Sequence, residues 1–535
     1  MATLQAAHDV QHGRIDDAVV PGTVSLVDVD HTLQTKHSRA QEDIVLVPTP
    51  SEDADDPLNW SPRRKFLAIT CMCVYVWCNG MALSVVYSVL VPLSEALEIS
   101  VGDINAGTGY LFLLAGWGLL LTQPFALQYG KRPTYLISII GLMAVSLWSP
   151  YAKSRGQWIA RNIVAGFLCS PIEALPEVSV ADLFFAHERG TYMSIYAFTL
   201  VGSNYFAPVY CGFVNDSLGY KWVFYLQAIF CGFAFLFLFL FMEETNYDRK
   251  TPSVDEAGNI IDRSTSTTNL TSDHMDPSKR KTYLQKLWIK DKPREQRMLY
   301  RSLLSLRLVS WPVVFYAGFS YGSYLIYFNI LNATASVLLS APPYNFHPSV
   351  VGLAYIACLI GVLAGSIFTG LFGDWATLKL VRRNGGSFEP EMRLWLFSVT
   401  TIMLPASMIL WGVGAAHQIH WFGLMVAMCT TAFTNGCGVT LSVNYVIDSY
   451  RDISGDAMTS VILIRNTMSF AIGYGITPWL DNLGTQNCFI SVAFIGLAVC
   501  SIFLLVIWKG KALRELYRVK YWNLVRKHVE MGMIH

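Results

Sequence analysis

Charge is scarce in this sequence. Asp, Glu, Lys and Arg make up 14% of its 535 residues, against about 25% in a soluble domain, where charge covers the surface. Composition therefore excludes a water-soluble globule, because 53% of the residues are hydrophobic and they lie in long uninterrupted runs. Other absences narrow the function. There is no Gly-rich phosphate loop ending in Lys-Ser/Thr, so direct ATP drive is not expected. No His/Cys spacing suggests a metal, and nothing marks a cofactor or a nucleic-acid partner. No His/Asp or Ser/His cluster at one membrane depth points to an enzyme. The eleven cysteines, Cys71 to Cys500, all fall in or beside apolar runs, which does not support a disulfide framework. The polar first 59 residues lack the apolar core of a cleavable signal.

What is present is length. A hydrocarbon layer about 30 Å thick needs roughly 20 apolar residues at about 1.5 Å rise each. Runs of that length occupy 66–93, 104–127, 133–151, 159–181, 191–214 and 222–242, and then 309–331, 350–372, 394–413, 421–447, 458–480 and 489–508. Six runs, a polar interruption and six more predict an all-α integral membrane protein of twelve transmembrane helices. The helices form two six-helix bundles, residues 61–242 and 309–508. A disordered arm (1–60) precedes them, and a linker (243–308) joins them with a membrane-surface helix expected near 283–289. A tail (509–535) follows. Near-membrane basics such as Arg63, Arg64, Lys65, Arg189, Arg451, Lys509 and Lys511 crowd alternate loops, whereas the opposite loops hold only Lys153, Arg155 and Lys221. The positive-inside rule then puts both termini in the cytoplasm. The plasma membrane is the expected location, and a monomer the expected state.

An ionisable group near the bilayer centre costs on the order of 2.5–3.5 kcal/mol on insertion scales, so it usually has a partner or a task. Span four carries Arg161, then Glu173 and Glu177, whose spacing of four sets both carboxylates on one helix face. Burial and a like charge one turn away both raise a carboxylate's pKa, which marks Glu173 and Glu177 as proton- or substrate-binding candidates. Asn204 on span five and Asn435 and Asn444 on span ten join them as polar candidates. Arg465 on span eleven cannot lose its proton and needs a counter-charge; Asp448 and the span-four carboxylates are the candidates. The plainer reading of all these groups is helix-to-helix bonding. Gly361 and Gly365 form a small-xxx-small pair on span eight, suited to close helix packing.

Resemblance enters at the loops. Gln128-Tyr129-Gly130-Lys131-Arg132-Pro133 looks like the basic loop motif of the major facilitator superfamily, with Leu127 standing where an acid is expected. Its half-repeat lies at Gly370-Leu-Phe-Gly373-Asp374, with Trp375 in place of an Arg and Arg382–Arg383 following. Ala207-Pro208-Val209-Tyr210-Cys211-Gly212 is similar to the span-five motif of drug:proton antiporters. Asp56-Pro57-Leu58-Asn59-Trp60, Ser170-Pro171-Ile172-Glu173-Ala174-Leu175, Ala186-His187-Glu188-Arg189-Gly190 and Ile464-Arg465-Asn466-Thr467 resemble a fungal subfamily grouped with polyamine, organic-cation and multidrug carriers. The resemblance implies a secondary transporter of a small organic compound, with protons as coupling ion and efflux favoured. Uptake of a nutrient or organic cation, and a non-transporting nutrient sensor, are the alternatives. It also implies coupling or gating roles for Arg161, Lys131, Arg132, Asp374, Asp448 and Arg465. The family's span-four Arg precedes a Gly by four residues; here Asn162 takes that place, so Arg161 is turned by about 100°.

Overall fold

The computed structural model describes residues 20–25, 37–38, 41–45, 56–184, 186–246, 253–254, 260–261, 297–384 and 387–531. The surface helix expected at 283–289 lies outside them. Twelve long helices carry the architecture. In the first half they are α1 (Pro62–Ser84), α2 (Val101–Tyr129), α3 (Lys131–Trp148), α4 (Arg155–Cys169), α5 (Ala186–Leu218) and α6 (Tyr220–Phe241). The second half has α7 (Pro312–Ser340), α8 (Pro348–Ile367), α9 (Phe397–Ala416), α10 (Trp421–Ser449), α11 (454–483) and α12 (485–500). Among the described residues, ten stretches are long and apolar enough to cross a membrane, and one of these holds both α11 and α12. With α5, at 33 residues also long enough to span, they make twelve.

Local chemistry sets the helix ends. Ser100 and Ser154 cap α2 and α4, accepting from the amides of Asp103 and Gln157 at 3.1 and 3.3 Å, the usual task of an N-cap hydroxyl. Pro opens α1, α7 and α8, where its missing N–H is not needed. Gly484 breaks the long final stretch with φ +70°, a backbone region that other residues rarely adopt.

Within the first half, α1 packs on α5 and α6, α2 on α4, and α3 on α6; within the second, α10 packs on α7, α8 and α9. The halves meet along two seams, α2 against α11 and α5 against α8. Glycines let the backbones touch there. A Cβ at Gly473 would lie 2.9 Å from the Gly109 Cα, and one at Gly212 would lie 2.2 Å from the Pro348 carbonyl oxygen. Pro208 and Gly212, singled out in sequence, thus lie on a seam. Gly361 and Gly365 face α10 inside the second half.

The arm expected to be disordered has seated pieces among its described residues: Asp56–Trp60 is packed at the start of α1, with Leu58 and Trp60 buried. Val24–Ser25 pairs antiparallel with Ser387–Phe388, between α8 and α9. Arg514, fully buried, donates to the Pro21 carbonyl at 2.5 Å and grips Glu391 through two bonds of 2.9 and 2.7 Å. Gly22, at φ +83°, presses on the Asp448 carbonyl, with no room for a side chain. The seat lies at the same end of the bundle as the α2–α3 and α8–α9 loops, called the basic end below.

Candidate functional site

The fourth span is not one helix. Pro171 and Pro176 interrupt the hydrogen-bond ladder, giving a 3-10 turn at Ser170–Glu173, a non-helical Ala174 (φ −133°, ψ −27°) and a new helix at Leu175–Leu183. The expected shared face of Glu173 and Glu177 is therefore corrected: the ladder that defines a common face is broken between them. Glu173 is buried at the turn, while Glu177 is half-buried in the next helix.

The turn aims Glu173 across the seam. Its carboxylate pairs with the Arg465 guanidinium of α11, joining the two halves near mid-span. Of the partners considered for Arg465, Glu173 is the one it meets; Asp448 instead faces Arg393 at 3.3 Å. Arg465 also donates to the Tyr321 hydroxyl of α7 at 2.5 Å, and its guanidinium carbon sits 4.4 Å from that ring's centre. Gly322 admits this packing, since a Cβ there would lie 3.0 Å from the Arg465 Cα.

Further amides lie buried along α7, α10 and α11. Among the described residues, both side-chain polar atoms of Asn329, Asn332 and Asn466 have no hydrogen-bond partner, nor does the Asn435 carbonyl oxygen. Unmet buried groups each cost about 1–3 kcal/mol, which is tolerable where a ligand is to meet them. Asn329 and Ser469 line a narrow crevice with Tyr87, Asn105, Thr108 and Phe112, between α2, α7 and α11. Asn204 is bonded to Ser84 at 2.6 Å, and Asn444 is half-buried.

Arg161 stands apart from this centre. It donates to Ser149 and to Asn162 at 2.8 Å each and lies 4.9 Å from the Trp158 ring centre. Its hydrogen bonds go to neutral groups and do not join Glu173.

Comparison with known proteins agrees with this architecture. The Major Facilitator Superfamily model matches residues 72–388, more than half of the chain. The chain belongs to the major facilitator superfamily. It is 28% identical to an uncharacterised MFS-type transporter of Schizosaccharomyces pombe, with 95% of this chain and 94% of that one aligned. It is 25% identical to protein HOL1 of Saccharomyces cerevisiae (96% and 98% covered) and 24% identical to MFS transporter fsa7 of a Fusarium species (81% and 82% covered).

The superfamily's loop motif can now be located in space. Lys131 pairs with Asp182 at the end of the span-four helix. Where Leu127 replaces the motif's acid, Glu244 supplies one from beyond α6. Its two oxygens accept from the backbone amides of Lys131 and Arg132 at 3.1 and 3.0 Å, capping α3. Burial pushes the Glu244 carboxyl up, and these amides pull against it. Arg132 donates to the Phe239 carbonyl at 2.7 Å. In the second half, Arg393 sits between Asp448 and the exposed Asp374, 3.8 Å away.

Sequence reasoning missed Glu244, Asp182 and two further contacts at this end. There the Thr459 hydroxyl donates to Gln123, and Arg301 meets Asp456 at 3.5 Å. An acid directly after an apolar run, as at Glu243-Glu244, was the available signal for the first.

Proposed function

We propose that this transporter-family chain is a proton-coupled secondary transporter. It exports a small organic compound across the plasma membrane by alternating access, with both termini and the 243–308 linker in the cytoplasm. The observation that carries the reading is the buried Glu173–Arg465 pair, one member from each half. While both are charged, their attraction favours contact between the halves. A proton on Glu173 cancels that attraction, whereas Arg465 keeps its charge and its hold on Tyr321. Loss of one charge from a buried pair costs about 3–5 kcal/mol, enough to shift a two-state equilibrium by more than a hundredfold. Proton binding and parting of the halves are thereby linked.

The unmet amides of Asn329, Asn435 and Asn466 support a substrate with hydrogen-bond donors and acceptors, and half-buried Glu177 favours a cationic or amine-bearing one. Efflux rests on the span-five stretch at Pro208 and Gly212, which lies on a seam. The orientation rests on the loop lysines and arginines.

The test is flux of a metabolite panel, with and without the protein, at two external pH values, followed by Glu173→Gln. Gln keeps the shape and mimics the protonated state. Uphill export should collapse while downhill exchange survives. An unchanged affinity and an unchanged pH profile of uphill transport would reduce Glu173 to a packing residue. Uptake rather than loss of the compound would reverse the direction.

A further inference from the structure

The helix Met298–Leu308, which leads from the linker into α7, lies at the α2–α11 seam and takes no part in the steps above. Its two faces differ. Arg301, Leu304, Ser305 and Leu308 are buried, recurring at the spacing of one helix face. The helix is bonded to both halves, through Ser305 on the buried face and half-buried Ser302 on the flank. The Ser302 hydroxyl donates to the Leu120 carbonyl of α2 at 2.6 Å, and Ser460 of α11 donates to the Ser305 carbonyl at 2.6 Å. The opposite face carries Leu299, Leu303 and Leu306, exposed to 79%, 65% and 39%.

The height of the helix says what covers this face. Leu120 precedes the end of α2 by nine residues, 129 minus 120, or roughly 13 Å of helical rise. Its neighbour Leu121 is 57% exposed, on the outer surface of a membrane span. The leucine row therefore continues the apolar belt of α2. Arg297 and Arg307 bracket the row and are exposed, and the sequence leading in carries Lys286, Lys290, Lys292 and Arg294. An apolar face bordered by basic groups suits the boundary between acyl chains and headgroups, and such groups attract anionic lipid.

We propose that helix Met298–Leu308 is an interfacial helix whose leucine face is covered by acyl chains and whose Arg297 and Arg307 hold anionic headgroups of the leaflet at the basic end. Because the helix is bonded to both halves, the lipid would grip the seam directly.

Photocrosslinking in nanodiscs tests this. p-Benzoylphenylalanine replaces Leu303, or separately Leu299 in case one variant fails to fold, in the full chain. The discs contain phosphatidylcholine and phosphatidylglycerol, Leu121 serves as the lipid-facing reference, and adducts are identified by mass spectrometry. The expected result is lipid adducts as at Leu121, with phosphatidylglycerol enriched several-fold over its share of the disc. That enrichment should vanish in Arg297→Gln/Arg307→Gln. Adducts to residues 262–296, adducts to a second copy, or no adduct would each overturn the acyl cover. Lipid adducts at the bulk ratio would overturn the headgroup site.

Discussion

Three contacts hold Arg465: the Glu173 carboxylate, the Tyr321 hydroxyl and the Tyr321 ring face. Each answers to a different substitution. Arg465→Ala leaves Glu173 charged and buried without a partner, at a cost of about 3–5 kcal/mol. Arg465→Lys keeps the charge but loses the planar fork and ring stacking, so its loss should be smaller. Glu173→Gln/Arg465→Gln removes both charges and should recover most of the stability lost by Arg465→Ala. Melting temperatures of the purified variants order these cases; an Arg465→Ala protein as stable as the parent would mean that the pair does not bind the halves. A buried arginine's need for a counter-charge was legible from residue type and position. Which acid answers it was not, because that depends on the proline-broken turn, and two prolines in a span do not say which way the next carboxylate points.

At the scale of elements, the start of α3 depends on an acid more than a hundred residues away. Glu244→Ala strips the acceptor from two backbone amides and should cost about 0.5–2 kcal/mol, as loss of a helix cap does. Hydrogen exchange at the Lys131 and Arg132 amides should rise; unchanged exchange would show that the cap is dispensable. The helix Arg518–Glu530 has a pH handle of its own. His528 is buried against Tyr300, with ring centres 6.0 Å apart, near Asp456, Arg301 and Lys527. Burial holds its imidazole below the usual value near 6.5. A base depressed in the folded state adds stability above its unfolded pKa and loses it as pH falls through the folded one. Relative to the intrinsic exchange rate at each pH, the helix should therefore be less protected at about pH 5 than at pH 7.5, and His528→Phe, which cannot take up a proton, should flatten that difference. The twelve spans were readable because lipid demands long apolar runs. The seated arm was not, since a polar segment carries no comparable periodic signal, and the seam helix was not, since its eleven residues are too few to span and its seat comes from distant parts of the chain.

At the scale of the whole molecule, the seams work only while their glycines stay bare. Gly212→Val drives carbon into the Pro348 backbone and should push α5 from α8 at that end, where the Asp216 carboxylate accepts from the Ser349 amide at 2.9 Å. Spin labels at positions 216 and 349 should then report a longer distance. Gly156→Ala, where an added Cβ meets nothing within 4 Å, serves as the control. An unchanged distance in Gly212→Val would mean that the seam yields without opening. Sidedness has its own check: a reporter inserted at Ser266 should be shielded from surface label in intact cells. The arm seated at Gly22 carries a different kind of consequence, one of timing. Val20–Ser25 leaves the ribosome before any span is made, yet the groups that receive it, at Ser387–Phe388, Asp448 and Arg514, are complete only when nearly the whole chain has been translated. The segment must wait, unpaired, through the synthesis and insertion of both halves. Its docking is therefore a late event in biogenesis, and a chain cut short before residue 514 lacks the arginine that holds it.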